Sequence, residues 1–361
     1  GIMLTSGTTG DSKGVIQPHN MFARGASRAV SAFGMTESDI VHFWFPLFHI
    51  GGQLHFAMST VLAGSSIALQ ERLSISKFWR EVAEDQCTVT GGMSSTMNLL
   101  RNSPPEDSLA SRINLRLGVY GPAANPDVIR EFEERYGMKV VDTYGMTEAE
   151  IVTLPPSDGS SAPRSVGVLS PDFEMAFVDE DGHAVAQGEI GEILIRPAQP
   201  DVMMRGYYKM PNESLQAFRN LWFHTGDLGS VDEQGFIHIH DRKKHVIRRR
   251  GENISIRELE SIFLSHPQVA ECVALGVESP LGEDDVMVVV KPTTIMSDLD
   301  LEELLQWATA NLPRFMIPQY LCKRSEIPLT DVGKPDRHQL ASGADVTILD
   351  TVSGDFNTGG S

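Results

Sequence analysis

Cysteine and positive charge are the two things that this sequence has little of. Its 361 residues include three cysteines, Cys87, Cys272 and Cys322, which lie far apart and form no CxxC pair. This spacing argues against a disulfide framework or a cysteine zinc site and favours a reducing compartment, for which we predict the cytoplasm. Thirty Lys and Arg residues stand against 48 Asp and Glu, so the formal net charge is −18. Such a chain repels a nucleic-acid backbone, and we expect no nucleic-acid partner.

An apolar run long enough to cross a membrane is also missing. The longest uncharged stretch, 40–70, is interrupted by Pro46, Gly51 and Gly52 and by three histidines. A membrane helix needs about 20 mostly apolar residues in succession, so we expect buried core elements here and no integral membrane segment. With 41% hydrophobic and 22% charged residues, the chain can bury a sizeable core. Its length predicts more than one domain.

Strand-like and helix-like segments, among them a predicted helix over 53–62, alternate through the first part of the chain. This alternation predicts parallel strands joined by crossover helices. Short alternating strands separated by Asp- and Gly-rich turns follow, and they predict a small β-barrel subdomain or a curled antiparallel sheet. The fold class is therefore α/β with a further α+β domain at the C-terminus. The predicted boundaries are 1–160 for the βα layers, 161–240 for the β-barrel subdomain, 241–245 for a connection, 246–340 for the α+β domain and 341–361 for a disordered tail.

A loop rich in glycine and hydroxyl side chains follows the first predicted strand. It reads Thr5-Ser6-Gly7-Thr8-Thr9-Gly10-Asp11-Ser12-Lys13-Gly14. Between a strand and a helix, such a loop offers backbone N–H groups to phosphate oxygens, and Lys13 adds a positive charge. The spacing is not that of a Walker A loop. A flexible surface turn is the alternative when the composition is taken alone.

The order of residues in this loop resembles the phosphate-binding loop of the AMP-forming adenylating enzymes, which include acyl-CoA synthetases, luciferases and peptide-synthetase adenylation domains. Four further segments resemble the motifs of that family, and the likeness runs from residue 1 to about 340. They are Tyr144-Gly145-Met146-Thr147-Glu148, Trp222-Phe223-His224-Thr225-Gly226-Asp227, Asp241-Arg242-Lys243-Lys244 leading into Arg250-Gly251-Glu252-Asn253, and Gly333-Lys334. The chain looks most like acyl-CoA ligases of the carnitine/crotonobetaine type.

The resemblance implies a two-step reaction that uses ATP, Mg²⁺ and coenzyme A. A carboxylate attacks the α-phosphate of ATP to give acyl-AMP and pyrophosphate, and the thiol of coenzyme A then displaces AMP. The resemblance also implies that a mobile C-terminal domain rotates about the hinge at 241–245 between the two steps. The expected substrate is a small or medium carboxylic acid. Whether the protein forms a homodimer is not decided by the resemblance. Family members carry a long segment before the phosphate loop, so the chain is expected to be truncated at its N-terminus. Two alternatives stay open: a non-catalytic nucleotide-binding fragment, and an adenylation domain that loads a carrier protein.

The resemblance also assigns four catalytic residues. Glu148 supplies an oxygen ligand for Mg²⁺ and Thr147 a hydrogen bond to the α-phosphate. Lys334 reaches the α-phosphate and the substrate carboxylate. His49 occupies the position that gates the acyl tunnel, and the alternative for this residue is a hydrogen-bonded core histidine.

The remaining implied contacts go to the nucleotide and to coenzyme A. They are Thr5, Ser6, Gly7, Thr8, Thr9, Gly10 and Lys13 for the phosphates; Gly121, Pro122, Ala123, Thr143, Tyr144, Gly145 and Met146 for the nucleotide around adenine; Asp227, Ile239 and Arg242 for the nucleotide around ribose; Lys244 as the pivot; and Arg248 and Gly251 for coenzyme A.

Overall fold

The chain divides into two compact units, Gly1–Ile239 and His240–Ser361. The computed structural model describes residues 1–5, 13–121, 126–242, 246–249, 252–278, 284–293, 299–329, 335–340, 347–351 and 356–358. Within this part of the chain, every helix is too short or too polar to cross a membrane.

The first unit contains short strands and helices in alternation, followed by longer strands. Its strands are β1 (Ile2–Thr5), β2 (Lys13–Ile16), β3 (Ile40–Phe43), β4 (Ser66–Leu69), β5 (Val89–Met93), β6 (Leu117–Gly121), β7 (Lys139–Val141), β8 (Gly145–Met146), β9 (Glu150–Ile151), β10 (Thr153–Leu154), β11 (Val168–Leu169), β12 (Phe173–Val178), β13 (Gly191–Pro197), β14 (Phe218–Arg219), β15 (Trp222–Val231) and β16 (Ile237–Arg242), the last of which runs into the second unit. Its helices are α1 (His19–Phe33), α2 (Ser59–Ala63), α3 (Ile75–Glu84), α4 (Ser94–Arg101), α5 (Asp107–Ala110), α6 (Pro126–Tyr136) and α7 (Pro211–Ala217), with a π-helix (Gly51–Met58) before α2.

A parallel sheet with strand order β4-β3-β5-β6-β7 forms the first layer of this unit. Its apolar side chains pack into two clusters. One cluster joins Val41 and Val89 to Phe33 of α1, and the other joins Val140 to Phe132 of α6. Helices therefore cover a sheet whose strands are apolar on both faces, as expected for parallel strands. The predicted α/β class is confirmed.

Three polar residues stand at the amino ends of the parallel strands, and two of them donate hydrogen bonds to the third. Asp39 precedes β3, Thr88 precedes β5 and Arg116 precedes β6. The carboxylate of Asp39, 2% exposed, accepts hydrogen bonds from Arg116 Nε at 2.7 Å and from Thr88 Oγ1 at 2.8 Å. Burial by itself raises the pKa of Asp39, but hydrogen bonds from Arg116, Thr36 and Thr88 outweigh it and lower this pKa to about 2. We call these three residues the amino-edge cluster.

An antiparallel sheet forms the second layer, with strand order β12-β13-β15-β14 and β16 added beside β15. The turns between its strands use the predicted glycines, because Gly182 and Gly235 have φ values of 83° and 86°. Ile193 and Ile237 pack with Tyr144 and Tyr207 in its apolar cluster. The predicted change from parallel to antiparallel pairing is confirmed.

One local prediction in this unit is wrong, and another is confirmed only in part. The glycine-rich loop connects two antiparallel strands, because β1 pairs with β2 from Ile2↔Ile16 to Thr5↔Lys13, and the first helix begins only at His19. The helix predicted over 53–62 is a π-helix followed by the short α2. The π-helix has eight residues, too few for their sequence pattern to show which carbonyl each N–H reaches.

The second unit is an α+β domain, as predicted. Its elements are β17 (Val246–Arg249), β18 (Glu252–Ser255), α8 (Ile256–Leu264), β19 (Val269–Glu278), β20 (Asp284–Pro292), α9 (Leu301–Asn311), a 3₁₀ turn (Arg314–Met316), β21 (Tyr320–Lys323), α10 (Arg337–Leu340), β22 (Thr347–Asp350) and β23 (Phe356–Thr358). The strands β19-β20-β21-β22-β23 form one sheet. The Ser255 and Asp300 side chains cap α8 and α9.

The prediction of a disordered tail is wrong for two of its segments. Both β22 and β23 belong to the sheet of the second unit, and β22 pairs with β21 from Tyr320↔Asp350 to Lys323↔Thr347. Leu349 is 2% exposed and joins the core of that unit. A short strand with one buried apolar side chain is stabilised by its partner strand, which the composition of the tail does not reveal.

Candidate active site

A tight hairpin follows the parallel sheet and carries the two predicted catalytic residues Thr147 and Glu148. Its strands are β8 and β9, with Gly145 opposite Ile151 and Met146 opposite Glu150. A Cβ at Gly145 would lie 1.8 Å from the carbonyl oxygen of Glu150, so only glycine fits this position. The hairpin therefore presents Thr147 and Glu148 together at its turn.

Tyr207 brings the carboxylate of Glu148 and the ammonium group of Lys13 to one place. The Tyr207 hydroxyl donates to Glu148 Oε1 at 3.0 Å, and Lys13 Nζ lies 4.7 Å from the centre of the Tyr207 ring. Burial, followed by the charge of Glu148, raises the pKa of Tyr207 above its ordinary value. The sequence analysis missed Tyr207, because nothing in its neighbourhood distinguishes it from the other five tyrosines of the chain.

Backbone hydrogen bonds hold the base of the glycine-rich loop beside the same tyrosine. Ile16 N donates to Gly206 O at 2.9 Å, and Tyr208 N donates to Gly14 O at 2.7 Å. The side chain of Gln17, 2% exposed, donates from Nε2 to the carbonyl oxygen of Thr147 at 2.8 Å. The strand that follows the loop is therefore fixed next to the hairpin that carries Thr147 and Glu148.

Tyr144 and Asp227, predicted to contact the adenine and the ribose, meet in the structure. The Tyr144 hydroxyl donates to Asp227 Oδ2 at 2.6 Å, and each residue is 4% exposed. The backbone N–H of Tyr144 donates to Thr153 Oγ1 at 2.8 Å. Ile239 lies in the same apolar cluster as Tyr144. Residues from the two layers of the first unit thus come together at the predicted nucleotide site.

Gly121 and Thr143 stand at the carboxyl ends of neighbouring parallel strands. Gly121 is the last residue of β6, and a Cβ there would lie 2.4 Å from Asp142 Oδ1. Thr143, 9% exposed, follows β7 by two residues. Ligands of open parallel sheets bind at this edge, so the position agrees with the predicted role.

His49 is exposed, and its Nδ1 accepts a hydrogen bond from Gly51 N at 3.1 Å. The alternative of a buried core histidine is therefore wrong, while the gating role stays a prediction. The π-helix begins two residues later, and π-helices occur frequently at functional sites.

Glu150, on the same hairpin as Glu148, is a residue that the sequence analysis did not single out. It is 2% exposed and has a φ of 56°. Burial raises its pKa to about 9. Oxygen Oε1 is buried, and none of the described residues forms a hydrogen bond with it. Positive φ at a residue other than glycine is the kind of feature that a sequence conceals.

The remaining predicted residues lie at the limits of what the structure describes. Arg242 ends β16 and Arg248 lies in β17. Outside the described residues lie Ser6, Gly7, Thr8, Thr9, Gly10, Pro122, Ala123, Lys244, Gly251 and Lys334.

Comparison with known proteins gives the chain a family. The model of the AMP-binding enzymes matches residues 1–208, and the model of the AMP-binding enzyme C-terminal domain matches residues 258–334. A probable CoA ligase of Humulus lupulus is 32% identical over 93% of this chain and 64% of its own length. A crotonobetaine/carnitine–CoA ligase of Escherichia coli O8 is 30% identical over 94% of this chain and 66% of its own length.

Solved structures show the same likeness. ATP-bound MatB from Rhodopseudomonas palustris superposes with a TM-score of 0.83 at 28% identity, over 94% of this chain and 67% of that one. The O-succinylbenzoate CoA synthetase of Bacillus subtilis in complex with AMP gives 0.79 at 28% identity, over 95% and 69%. The chain thus spans about two thirds of the length of the curated relatives that it matches. It belongs to the family of AMP-binding enzymes, and the resemblance seen in its motifs is confirmed.

Proposed function

We propose that this chain carries out ATP-dependent ligation of a carboxylic acid to coenzyme A through an acyl-AMP intermediate. One observation carries the proposal: the hydrogen bond from Tyr207 to Glu148, which places the metal-binding candidate beside Lys13 and the base of the glycine-rich loop. The CoA ligases among the relatives support the same reaction class.

The phosphate end of the site has the donor chemistry that a magnesium nucleotide requires. Glu148 provides a carboxylate oxygen suited to a hard cation, Thr147 provides a hydroxyl that can donate to the α-phosphate, and Lys13 provides a compensating positive charge. Bound Mg²⁺ would neutralise charge on the phosphates, and ATP would supply the activated phosphorus. Tyr207 orients Glu148 through its hydroxyl, so the carboxylate is already positioned before a ligand arrives.

The nucleoside end of the site is held by Tyr144 and Asp227. The carboxylate of Asp227 is buried and accepts a hydrogen bond from the Tyr144 hydroxyl at 2.6 Å, which fixes its orientation. A fixed carboxylate can accept further hydrogen bonds from two neighbouring hydroxyl groups. This arrangement supports the proposal that Asp227 binds the two ribose hydroxyl groups.

We assign different residues of the second unit to the two half-reactions, with Lys244 as the pivot between them. Lys334 is proposed to act during acyl-AMP formation, while Arg248 and Gly251 contact coenzyme A after a rotation about Lys244. Movements of this kind complete two catalytic arrangements with one scaffold. We place the reaction in the cytoplasm, which agrees with three buried cysteines that form no disulfide.

Acid-dependent exchange of pyrophosphate into ATP tests the first half-reaction. We expect exchange that requires both Mg²⁺ and a carboxylic acid, with a loss in Glu148→Gln, which keeps the shape of the side chain and removes its charge. Formation of a thioester from free coenzyme A, without a carrier protein, then separates the ligase from a carrier-loading adenylation domain. An absence of exchange with every acid would leave nucleotide binding as the function of the chain.

Lys334→Ala separates the two half-reactions. It should lower acyl-AMP formation by roughly 10²–10³, because a preorganised cation at the α-phosphate is removed. Conversion of synthetic acyl-AMP and coenzyme A to the thioester should continue. Equal losses in both steps would contradict the assignment of Lys334 to acyl-AMP formation alone.

A further inference from the structure

Several unfavourable features meet at one buried point on the hairpin that carries Thr147 and Glu148. Glu150 is 2% exposed, has a φ of 56° and leaves Oε1 with no hydrogen-bond partner among the described residues. Facing it, α1 has Gly25 in its interior, where glycine weakens a helix. Buried polar groups are normally hydrogen-bonded, and strained residues persist mainly at functional sites. The combination therefore points to a ligand.

These features are linked by geometry. A Cβ at Gly25 would lie 2.2 Å from Glu150 Oε2 and 3.0 Å from Leu54 Cδ1. The missing side chain of Gly25 thus makes room for the carboxyl group of Glu150. Leu54 belongs to the π-helix that begins two residues after His49. Three elements converge here: the hairpin, α1 and the π-helix.

The proposed function assigns the nucleotide phosphates to Thr147, Glu148 and Lys13, so Glu150 is left for a different ligand. The proposed function brings a second ligand to the same hairpin, since the carboxylate of the acid must reach the α-phosphate beside Thr147. Its carbon chain then extends away from Thr147 and Glu148. Glu150 lies three residues from Thr147, against the apolar side chain of Leu54.

We propose that Glu150 is the specificity-determining residue for the acid substrate and selects acids whose chain carries an ammonium or hydroxyl group over plain alkanoic acids. This proposal rests on the proposed function. Oxygen Oε1 accepts a hydrogen bond from the ammonium or hydroxyl group of the substrate. A substrate with a plain alkyl chain has no such donor and leaves that oxygen unpaired. Sites built in this way reject the analogue that lacks the donor.

Calorimetric titration in saturating AMP tests the proposal without turnover. The probes are ω-amino and ω-hydroxy acids of graded chain length, each paired with the alkanoate that has the same number of heavy atoms. We expect the parent to bind at least one polar acid about tenfold or more tightly than its partner. Glu150→Met should abolish or reverse this preference. Equal binding within every pair, no binding of any acid, or an unchanged preference in Glu150→Met would overturn the proposal.

Thermal unfolding of the same variants distinguishes selection from a structural role. Glu150→Met replaces an unpaired buried carboxyl with an apolar side chain, so its Tm should equal or exceed that of the parent. A clearly lower Tm together with the lost preference would assign Glu150 to folding and overturn the proposal.

Gly25→Ala provides an independent variant, because its Cβ displaces the carboxyl group of Glu150. It should reduce the preference severalfold and leave the Kd for AMP unchanged. Ser27→Ala, at an exposed position of the same helix, should change neither quantity. A preference in Gly25→Ala equal to that of the parent would count against the proposal.

Pyrophosphate exchange with the same acids separates this proposal from the ligase function. Selective binding of polar acids without exchange would refute the ligase and retain the selection by Glu150. Exchange supported equally by polar and alkyl acids would retain the ligase and refute the selection.

Discussion

Asp39 and Glu150 are each 2% exposed, yet the two carboxyl groups differ in their hydrogen bonding and in the direction of their pKa shifts. Asp39 stands at the amino ends of the parallel strands, where Arg116, Thr88 and the backbone of Thr36 donate to it. Glu150 stands on the hairpin that follows the carboxyl ends, and its Oε1 has no partner in the described part of the chain. The pKa is lowered to about 2 in the first case and raised to about 9 in the second.

The same contrast extends beyond these two residues. The indole Nε1 of Trp44, which directly follows β3 at the carboxyl end, is also buried without a hydrogen bond to any described residue. Complete hydrogen bonding at one edge stabilises the fold, whereas incomplete hydrogen bonding at the other leaves capacity for ligands. This difference agrees with the general placement of ligand sites at the carboxyl edge of parallel sheets.

Asp39→Ala should have the largest effect of the substitutions considered, and this effect should be on stability alone. Removing the shared acceptor of the amino-edge cluster leaves its donors unpaired, and we expect a loss of about 2–4 kcal/mol in the free energy of unfolding. Urea denaturation measures this loss, with the exposed neighbour Glu37→Ala as control. A change of more than twofold in the Kd for AMP, measured where both proteins are folded, would contradict a role of the amino-edge cluster in stability alone.

Asp227→Asn should weaken AMP binding with a smaller effect on stability. The substitution keeps the size of the side chain and removes the charge that accepts from the ribose, so we expect a loss of about 2–3 kcal/mol in binding. Tyr144→Phe removes only the hydrogen bond between the two residues and should weaken AMP binding by about 1 kcal/mol. An Asp227→Asn protein that binds AMP as tightly as the parent would refute the assignment.

The pH dependence of stability should separate the two carboxyl groups. Asp39 has a lowered pKa, so its contribution is present above pH 4 and is lost as the pH falls toward 2. Glu150 has a raised pKa, so the unfolded chain releases this proton first and stability falls as the pH rises from about 4.5 to about 9. Over this range, the free energy of unfolding of the parent should fall by up to about 1.4 kcal/mol per pH unit, and Glu150→Gln should remove this fall. Identical slopes in parent and variant would contradict this prediction.

Tyr207→Phe should have the smallest effect, about 1 kcal/mol in the binding of MgATP, because one hydrogen bond to Glu148 is lost while the ring beneath Lys13 remains. Tyr208→Phe is the matched control, since that neighbour is 48% exposed. Calorimetry measures both variants. Equal affinities for the two would show that Tyr207 does not position Glu148.

Much of the fold was predictable because its local signals agree. Apolar runs such as that of β6 indicated buried parallel strands, and Asp- and Gly-rich turns indicated the antiparallel sheet. The meeting of Tyr144 and Asp227, 83 residues apart, was expected only from the resemblance, since composition and periodicity carry no information on such distances.

The features that escaped prediction depend on tertiary contacts. Tyr207 acts through a partner 59 residues away in the chain, and Glu150 through the space left by Gly25. A π-helix has the composition of an ordinary helix, and β22 is stabilised by pairing with β21. In each case the decisive neighbour is distant in sequence.

The pairing of Thr5 with Lys13 has a consequence for how the glycine-rich loop can vary. Because β1 and β2 close this loop when the protein folds, the entropy of bringing its ends together is lost before any nucleotide arrives. That entropy depends only logarithmically on loop length, and each doubling of the length changes it by about 0.6 kcal/mol. Residues inserted between Thr5 and Lys13 should therefore leave stability nearly unchanged, whereas a shift in the register of the two strands would displace Lys13 from Tyr207.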